Sequence, residues 1–198
     1  LVAGDLSDPA SLAHAVAGIE AALLLTPVNG ERGLWKSNLI RAAQSAGVKR
    51  IVNLSVAGAA PDSPIILGRW HWESEQELEA SGLGWTHLRP YDLARYNTQL
   101  FLTAARDQGA FYSTVGEGKV AMVDEEDVAA VAAQALLNPA HLGKAYTLTG
   151  PQALSYSQIA AAIGGEIAKV VRYVNVTEAE AKAAMLAMGL PEWIADFI

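Results

Sequence analysis

Short apolar runs alternate with segments of helical periodicity along this chain, and that alternation restricts the fold more than any other feature. Ala21-Ala22-Leu23-Leu24-Leu25 is wholly apolar and ends in Thr26-Pro27, and Arg50-Ile51-Val52-Asn53-Leu54 reads as a second strand. Runs of this kind are strands covered on both faces of a parallel sheet. Ser7-Asp8-Pro9 starts a helix, with a capping residue and a proline at the first turn, and Leu12, Val16 and Ile19 follow at helical spacing near the stop at Gly18. A helix over 31–46 is closed by Gly47; a loop runs to about residue 68, a helix to Ala80, and a strand over 85–88. The second half reads as helix 95–107, strand 119–123, helix 124–137, strand 145–148, helix 155–163, strand 170–174 and helix 178–188. Strands that alternate with helices of this length imply crossover connections, hence an α/β fold: a parallel sheet flanked by helices. Residues 1–4 read as an opening strand. The chain shows no repeat, low-complexity tract or linker, and residues 1–198 read as one domain.

Composition narrows the classes of function. At 52% hydrophobic and 18% charged residues the chain is globular, and 198 residues suffice for one core but not two. The absence of cysteine excludes disulfides, thiolate metal sites and a cysteine nucleophile, and fits a reducing, cytoplasmic setting. A net charge of -7 argues against direct contact with nucleic acid, which requires clustered Lys and Arg. No apolar run approaches the ~20 residues of a membrane span, and Leu1-Val2-Ala3 is too short for a signal peptide.

Open parallel sheets bind ligands beyond the carboxyl ends of their strands, and many open with a glycine-rich turn that seats a pyrophosphate on a helix N-terminus. No such turn occurs here; Gly164-Gly165 lies far downstream, read as a helix end, and Gly116-Glu117-Gly118-Lys119 precedes a strand. Three strand ends remain. Past the first, Asp5 either accepts a hydrogen bond from an adenine amino group, with Leu6 packed on the ring, or starts a turn. At the second, Thr26-Pro27-Val28 either lines a ribose and pyrophosphate path or merely ends a strand. At the third, Ser55 is placed to polarise a carbonyl or to form a turn, and Pro90 and Tyr91 could wall a nicotinamide.

The sharpest polar pair is His71 and Glu75, which share a helix face at i, i+4. Facing a cleft, Glu75 would orient His71 as a proton donor. Facing water, the pair would contribute only ~0.3–0.5 kcal/mol. Trp70 and Trp72 imply that part of this helix is buried. The four histidines have no metal-ligand spacing, no Gly-x-Ser-x-Gly elbow occurs, and Asp124 to Asp127 suit a helix start.

Several short stretches recur together in one family. These are Gly4-Asp5-Leu6-Ser7-Asp8-Pro9, Leu24-Leu25-Thr26-Pro27, Ala46-Gly47-Val48-Lys49-Arg50-Ile51-Val52 and Leu88-Arg89-Pro90. Val123-Asp124 with Asp127-Val128-Ala129, and Tyr146 with Thr149-Gly150-Pro151, complete the series. In this order they resemble the NmrA-like branch of the atypical short-chain dehydrogenases, which includes quinone, azo-dye and triphenylmethane-dye reductases. The resemblance implies a Rossmann-like core with a small C-terminal substrate lobe, binding NADP or NAD. It implies Asp5 and Leu6 near adenine, Thr26 and Pro27 along the cofactor, and Ser55, Pro90 and Tyr91 near the nicotinamide. His71 falls where ordinary members carry a catalytic tyrosine; the Tyr-x-x-x-Lys pair is absent, as is usual in this branch.

The missing glycine turn carries its own expectations. A sheet without its first β-α-β segment would leave strand 21–25 with an open apolar edge, so the chain is expected to belong to a longer product or to need a partner, a homodimer included. The end at Asp196-Phe197-Ile198 also reads as interrupted. The functional expectation is an NAD(P)H-dependent oxidoreductase passing hydride to a small planar acceptor held between Tyr91 and a lobe of residues 97–113 and 177–198. The alternatives are a regulator that senses NAD(P) without turnover, or a piece inactive as it stands.

Overall fold

The computed structural model describes residues 2–27 and 31–195. In chain order the elements are α1 (Pro9–Ala15), β1 (Ala21–Leu24), α2 (Arg32–Ala46), β2 (Arg50–Leu54), α3 (Ile66–Ala80), β3 (Gly84–Pro90), α4 (Ala94–Gln108) and β4 (Ala110–Ser113). Then follow β5 (Lys119–Val120), α5 (Glu125–Leu137), β6 (Lys144–Leu148), β7 (Leu154–Ser155), α6 (Tyr156–Ile167), β8 (Arg172–Asn175), α7 (Glu178–Ala187) and α8 (Glu192–Ala195). They group into two compact units, Leu1–Pro90 with Glu126–Leu148, and Tyr91–Glu125 with Thr149–Ile198.

The first unit is built on a parallel four-stranded sheet in the order β1-β2-β3-β6. Its strands alternate their side chains across the sheet, and the two faces are covered by different helices. Ile51 joins Leu12, Val16, Leu24, Ile40, Ala43, Val48 and Leu78 in a core made with α1, α2 and α3. Val52 and Leu88 pack instead with Ala132 and Ala135 of α5 on the other face. Each fully buried aliphatic side chain of this set contributes roughly 1.5–3 kcal/mol. The helix ends follow the sequence signals: Asp8 Oδ1 accepts from Ala10 N at 3.0 Å, and Gly47 closes α2 in the left-handed conformation at φ 72°. β1 lies at the edge of the sheet, and its Leu23 is 44% exposed.

The second unit is held by aromatic packing. Phe101 of α4 stacks on Phe111 of β4 with ring centroids 4.3 Å apart, and Tyr156 and Tyr173 close the cluster. β4 pairs in parallel with β8, and β5 pairs antiparallel with β7. Ser155 and Thr177 cap α6 and α7 with reciprocal side-chain and backbone bonds to Gln158 and Glu180.

Four expectations change. Residues 2–4 form no strand, because β1 finds its only partner among the described residues in β2. The strand expected over 119–123 shortens to Lys119–Val120; Val123 instead makes a single parallel bridge to Leu93. Gly164-Gly165 sits inside α6 rather than at its end, and Gly164 is glycine for a packing reason, as a Cβ there would meet the Lys169 carbonyl at 2.6 Å. β4, a four-residue strand after the left-handed Gly109, was not expected at all. Residues 196–198, read above as an interrupted helix, lie outside the described residues.

Gly150, part of the Thr149-Gly150-Pro151 motif, has a packing reason to be glycine. Its N–H donates to the Ala121 carbonyl at 3.0 Å, and a Cβ there would collide with the Met122 carbonyl oxygen. Gly150→Ala is therefore expected to cost about 1–3 kcal/mol, as overpacked sites do, seen as a lower midpoint in urea unfolding. An unchanged midpoint would mean that the Met122 carbonyl yields freely.

Candidate functional site

Alternation along β2 and β3 puts an unusual row of polar residues on the face covered by α2 and α3. Ile51 and Trp85 pack there with the aliphatic core, and two residues further along each strand come Asn53 and His87, register partners and both fully buried. Arg89 continues the row. From above, α2 supplies Lys36 and α3 supplies His71 and Glu75, all three buried. The row lies at the carboxyl ends of the strands, the place where open sheets of this kind take ligands.

The contacts are specific. Lys36 Nζ donates to Asn53 Oδ1 at 2.8 Å and to the Leu54 carbonyl at 3.1 Å, and lies 3.5 Å from His71 Nδ1. Asn53 Nδ2 in turn reaches His87 Nδ1 at 3.3 Å. Arg89 grips Glu75 with two bonds, Nε to Oε1 at 3.0 Å and Nη2 to Oε2 at 2.5 Å. That pairing holds the guanidinium above its usual pKa, so Arg89 stays charged. Burial pushes the His87 imidazole below its ordinary 6.5; Glu75 and Glu79 oppose the shift and Arg89 adds to it. His87 Nε2 lies 3.3 Å from Glu79 Oε1, but not in hydrogen-bonding geometry.

Of the residues singled out from sequence, His71 and Ser55 are brought to this cluster. Ser55 is buried, directly follows the Leu54 carbonyl that Lys36 holds, and its N–H donates to Leu88 O at 2.7 Å. Its hydroxyl has no hydrogen-bond partner among the described residues. Thr26 is in the corresponding position just beyond the neighbouring strand: both residues lie two beyond the register pair Leu24↔Asn53, and the Thr26 hydroxyl is also buried without a partner among the described residues. Pro27 is exposed, and Val28 lies outside the described residues. Pro90 is buried, its carbonyl accepting from Ala57 N at 2.9 Å, while Tyr91 belongs to the second unit and is half exposed.

Asp5 makes the turn that its position allowed. Its Oδ1 accepts from the Ser7 hydroxyl at 2.7 Å and the Ser7 N–H at 2.8 Å, which hold the carboxyl below its usual pKa and thus ionised. Leu6 is half buried against the first core, and its carbonyl accepts from Asn38 Nδ2 at 3.0 Å. The His71–Glu75 pairing is corrected: the i, i+4 spacing does bury both residues, but Glu75 gives both oxygens to Arg89 and His71 meets Lys36. A planar guanidinium offers a carboxylate two parallel bonds, which one imidazole cannot.

Lys36, Asn53, His87 and Arg89 were missed from sequence. One signal was present for Lys36, which precedes Ile40 and Ala43 by one and two helical turns and so places a cation on the buried stripe of α2. Asn53 and His87 gave none, since a strand run tolerates either residue.

The second unit holds perturbed groups of its own. Burial raises the Asp92 carboxyl above its ordinary value, partly offset by the bond from Asn97 Nδ2. Burial, with the Asp92 charge, pushes the Tyr156 hydroxyl up to about 12, so it stays protonated at neutral pH. Between α4 and α7 of this unit lies an apolar cavity of about 710 Å³, lined by Leu100, Phe101, Phe111, Tyr112, Met185 and Met188 among others. Among the described residues no helix is long and apolar enough to cross a membrane.

The depressed His87 couples stability to acid. Below pH 6.5 the unfolded chain binds a proton that the folded chain resists, so stability falls as pH drops through that range. The urea midpoint is expected to decline from pH 7.5 to 5.5, and to decline less in His87→Gln. Equal declines in the two proteins would place the acid sensitivity elsewhere.

Comparison with known proteins adds to this geometry. The chain is 44% identical to the NAD(P)H azoreductase of Xenophilus azovorans over 194 residues, 98% of this chain and 68% of that protein. It is 36% identical to quinone oxidoreductase 2 of Escherichia coli strain K12, again over 98% of this chain and 68% of the relative. Among solved structures it superposes on the E. coli NADPH-dependent quinone oxidoreductase complexed with NADPH with a TM-score of 0.87 and 36% identity, covering 99% of this chain and 69% of that one. For the Citrobacter sp. triphenylmethane reductase complexed with NADP(H) the values are 0.82 and 28%, over 98% and 68%. The expected Rossmann-like architecture is thereby borne out, and since the NmrA-like family model matches residues 1–196, the chain belongs to the NmrA-like family.

Proposed function

We propose that this chain serves an NAD(P)H-dependent reductase that passes hydride to a small planar acceptor, a quinone or a dye. One observation carries the reading: two buried hydroxyls without a hydrogen-bond partner among the described residues, Ser55 and Thr26, stand at the carboxyl ends of adjacent parallel strands. Buried polar groups are seldom left unpaired, and a ligand is the economical partner for two of them at a nucleotide-binding strand end. The relatives support the same class, since the azoreductase is named for NAD(P)H and the quinone oxidoreductase structure holds NADPH.

On this reading Asp5 and Leu6 lie near the adenine, Thr26 and Pro27 along the cofactor, and Ser55, Pro90 and Tyr91 near its nicotinamide. NADP and NAD are both admitted as the cofactor. The nicotinamide, when bound, supplies the hydride; the protein's task is alignment and the management of charge on the acceptor. Ser55 offers a hydroxyl that can donate or accept, fixed by the Ser55 N–H bond to Leu88. His71 offers a nitrogen-borne proton toward the oxygen or nitrogen that gains charge. The apolar cavity of the second unit is of the size that takes drug-sized planar molecules, which supports the assignment of that lobe to the acceptor. A chain without cysteine suits a reducing cytoplasm.

Titration of the protein with NADPH and then NADH, followed by nicotinamide fluorescence, tests the reading. Saturable binding with steady NADPH oxidation in the presence of 2-methyl-1,4-naphthoquinone supports it. Binding without turnover makes the protein a nucleotide sensor, and absence of binding rejects the site.

Ser55→Ala separates a ligand-facing hydroxyl from a structural one. It is expected to leave the unfolding midpoint unchanged, because no partner among the described residues is lost, and to weaken NADPH binding by about fivefold to tenfold, the worth of one hydrogen bond of ~1 kcal/mol. A lower midpoint with unchanged affinity would return Ser55 to a structural role.

A further inference from the structure

We propose that the apolar cavity between α4 and α7 is a binding site for planar apolar cations, and that the acceptor this chain prefers therefore carries a positive charge. The second half of the inference rests on the reading above that this lobe takes the acceptor.

The cavity follows from the sequences of the two helices. Along α7 and its C-cap, Ala181, Ala184, Met185 and Met188 recur at helical spacing as an apolar stripe, and α4 presents Leu100 and Ala104 in the same way. The alanines are too short to close the space between the stripes, and about 710 Å³ stays open. Phe101 of α4 and Phe111 and Tyr112 of β4 add aromatic rings, while the two methionines are unbranched and adapt to the shape of a guest. Leu100 is 57% and Met188 71% exposed, so the cavity carries apolar surface that a ligand would remove from water.

Charge decides which ligand that is. Two carboxylates line the cavity, Asp107 near the end of α4 and Glu180 in the first turn of α7, and no Lys, Arg or His lines it among the described residues. The Thr177 N–H and hydroxyl each donate to Glu180 Oε2 at 2.8 Å, and they hold this carboxyl below its usual pKa and thus ionised. An anion entering the cavity would lose hydration and face both carboxylates. A neutral ring system would gain apolar burial alone. A planar cation gains the same burial, the two carboxylates and the attraction of aromatic rings for positive charge.

The same charge suits turnover. A cationic acceptor that receives a hydride at a ring carbon becomes neutral and needs no proton, and the nicotinamide donor is left oxidised. The product then carries no charge for Asp107 and Glu180 to hold, so the site binds it less tightly than the substrate.

Equilibrium titrations at pH 8 and low salt, without nucleotide, compare three probes of nearly one shape: the 10-methylacridinium cation, neutral acridine and the acridine-9-carboxylate anion. The expected order of affinity is cation, neutral, anion. The cation should bind about tenfold tighter than acridine, the worth of two solvent-exposed charge pairs and a ring contact, and salt at about 0.5 M should remove most of that advantage. Asp107→Asn combined with Glu180→Gln, which keeps a capping side chain on α7, should bring the cation within about threefold of acridine. Ala184→Trp fills the cavity and should abolish binding of both. Equal affinities in the wild-type protein, a preference for the anion, or absence of binding overturns the inference, whether or not the variants fold. Cation binding that survives in a folded Ala184→Trp overturns it as well. A protein that sediments as a dimer, that Met188→Glu dissociates and that binds no acridine overturns it too, and assigns the face to a second copy of the chain. NADPH oxidation with 10-methylacridinium, above the rate without protein, scores the acceptor separately: binding in the expected order without such oxidation keeps the cation site and removes only the acceptor half.

Discussion

The buried ammonium of Lys36 is the constraint around which the first unit is arranged. A cation taken wholly out of water costs several kcal/mol unless every donor finds an acceptor. Here α2 must lie at a height where Nζ reaches the Asn53 amide oxygen and the Leu54 carbonyl, both at the end of β2. α3 brings His71 Nδ1 to 3.5 Å from the same nitrogen. One side chain thereby fixes two helices against the carboxyl end of a central strand. The aliphatic core beneath, with Ile40, Ile51 and Leu78, would tolerate small slips of those helices, as apolar contacts are not directional. The polar layer does not tolerate them.

That layer is hard to explain by stability alone. Buried ion pairs and ammonium groups are often matched or exceeded by apolar residues of similar volume, although breaking one partner of an existing pair is costly. A sheet face that begins with Ile51 and Trp85 and continues with Asn53, His87 and Arg89 therefore changes character where it approaches the ligand-binding end of the strands. Glu75 balances Arg89 with two bonds, and His87, neutral, transmits no charge between the two cations. The outcome is a polar row that ends near two hydroxyls, Ser55 and Thr26, without a hydrogen-bond partner among the described residues.

Much of the fold was legible because it follows from local chemistry. The apolar runs at Ala21–Leu24 and around Ile51 are strands, Asp8 and Gly47 do bound helices, and Ser155 and Thr177 do cap them. What was illegible depends on partners far away in sequence. Ala110–Ser113 becomes a strand only because Arg172–Asn175 lies beside it, and residues 121–123 leave their strand because Val123 bridges Leu93 while the Ala121 carbonyl receives Gly150. The site divides in the same way. Ser55 and Thr26 could be found from their places at strand ends, a rule that needs no tertiary information. The partners of His71 and Glu75 could not, because i, i+4 proximity says that two side chains share a face and not which of them has a better partner across the sheet.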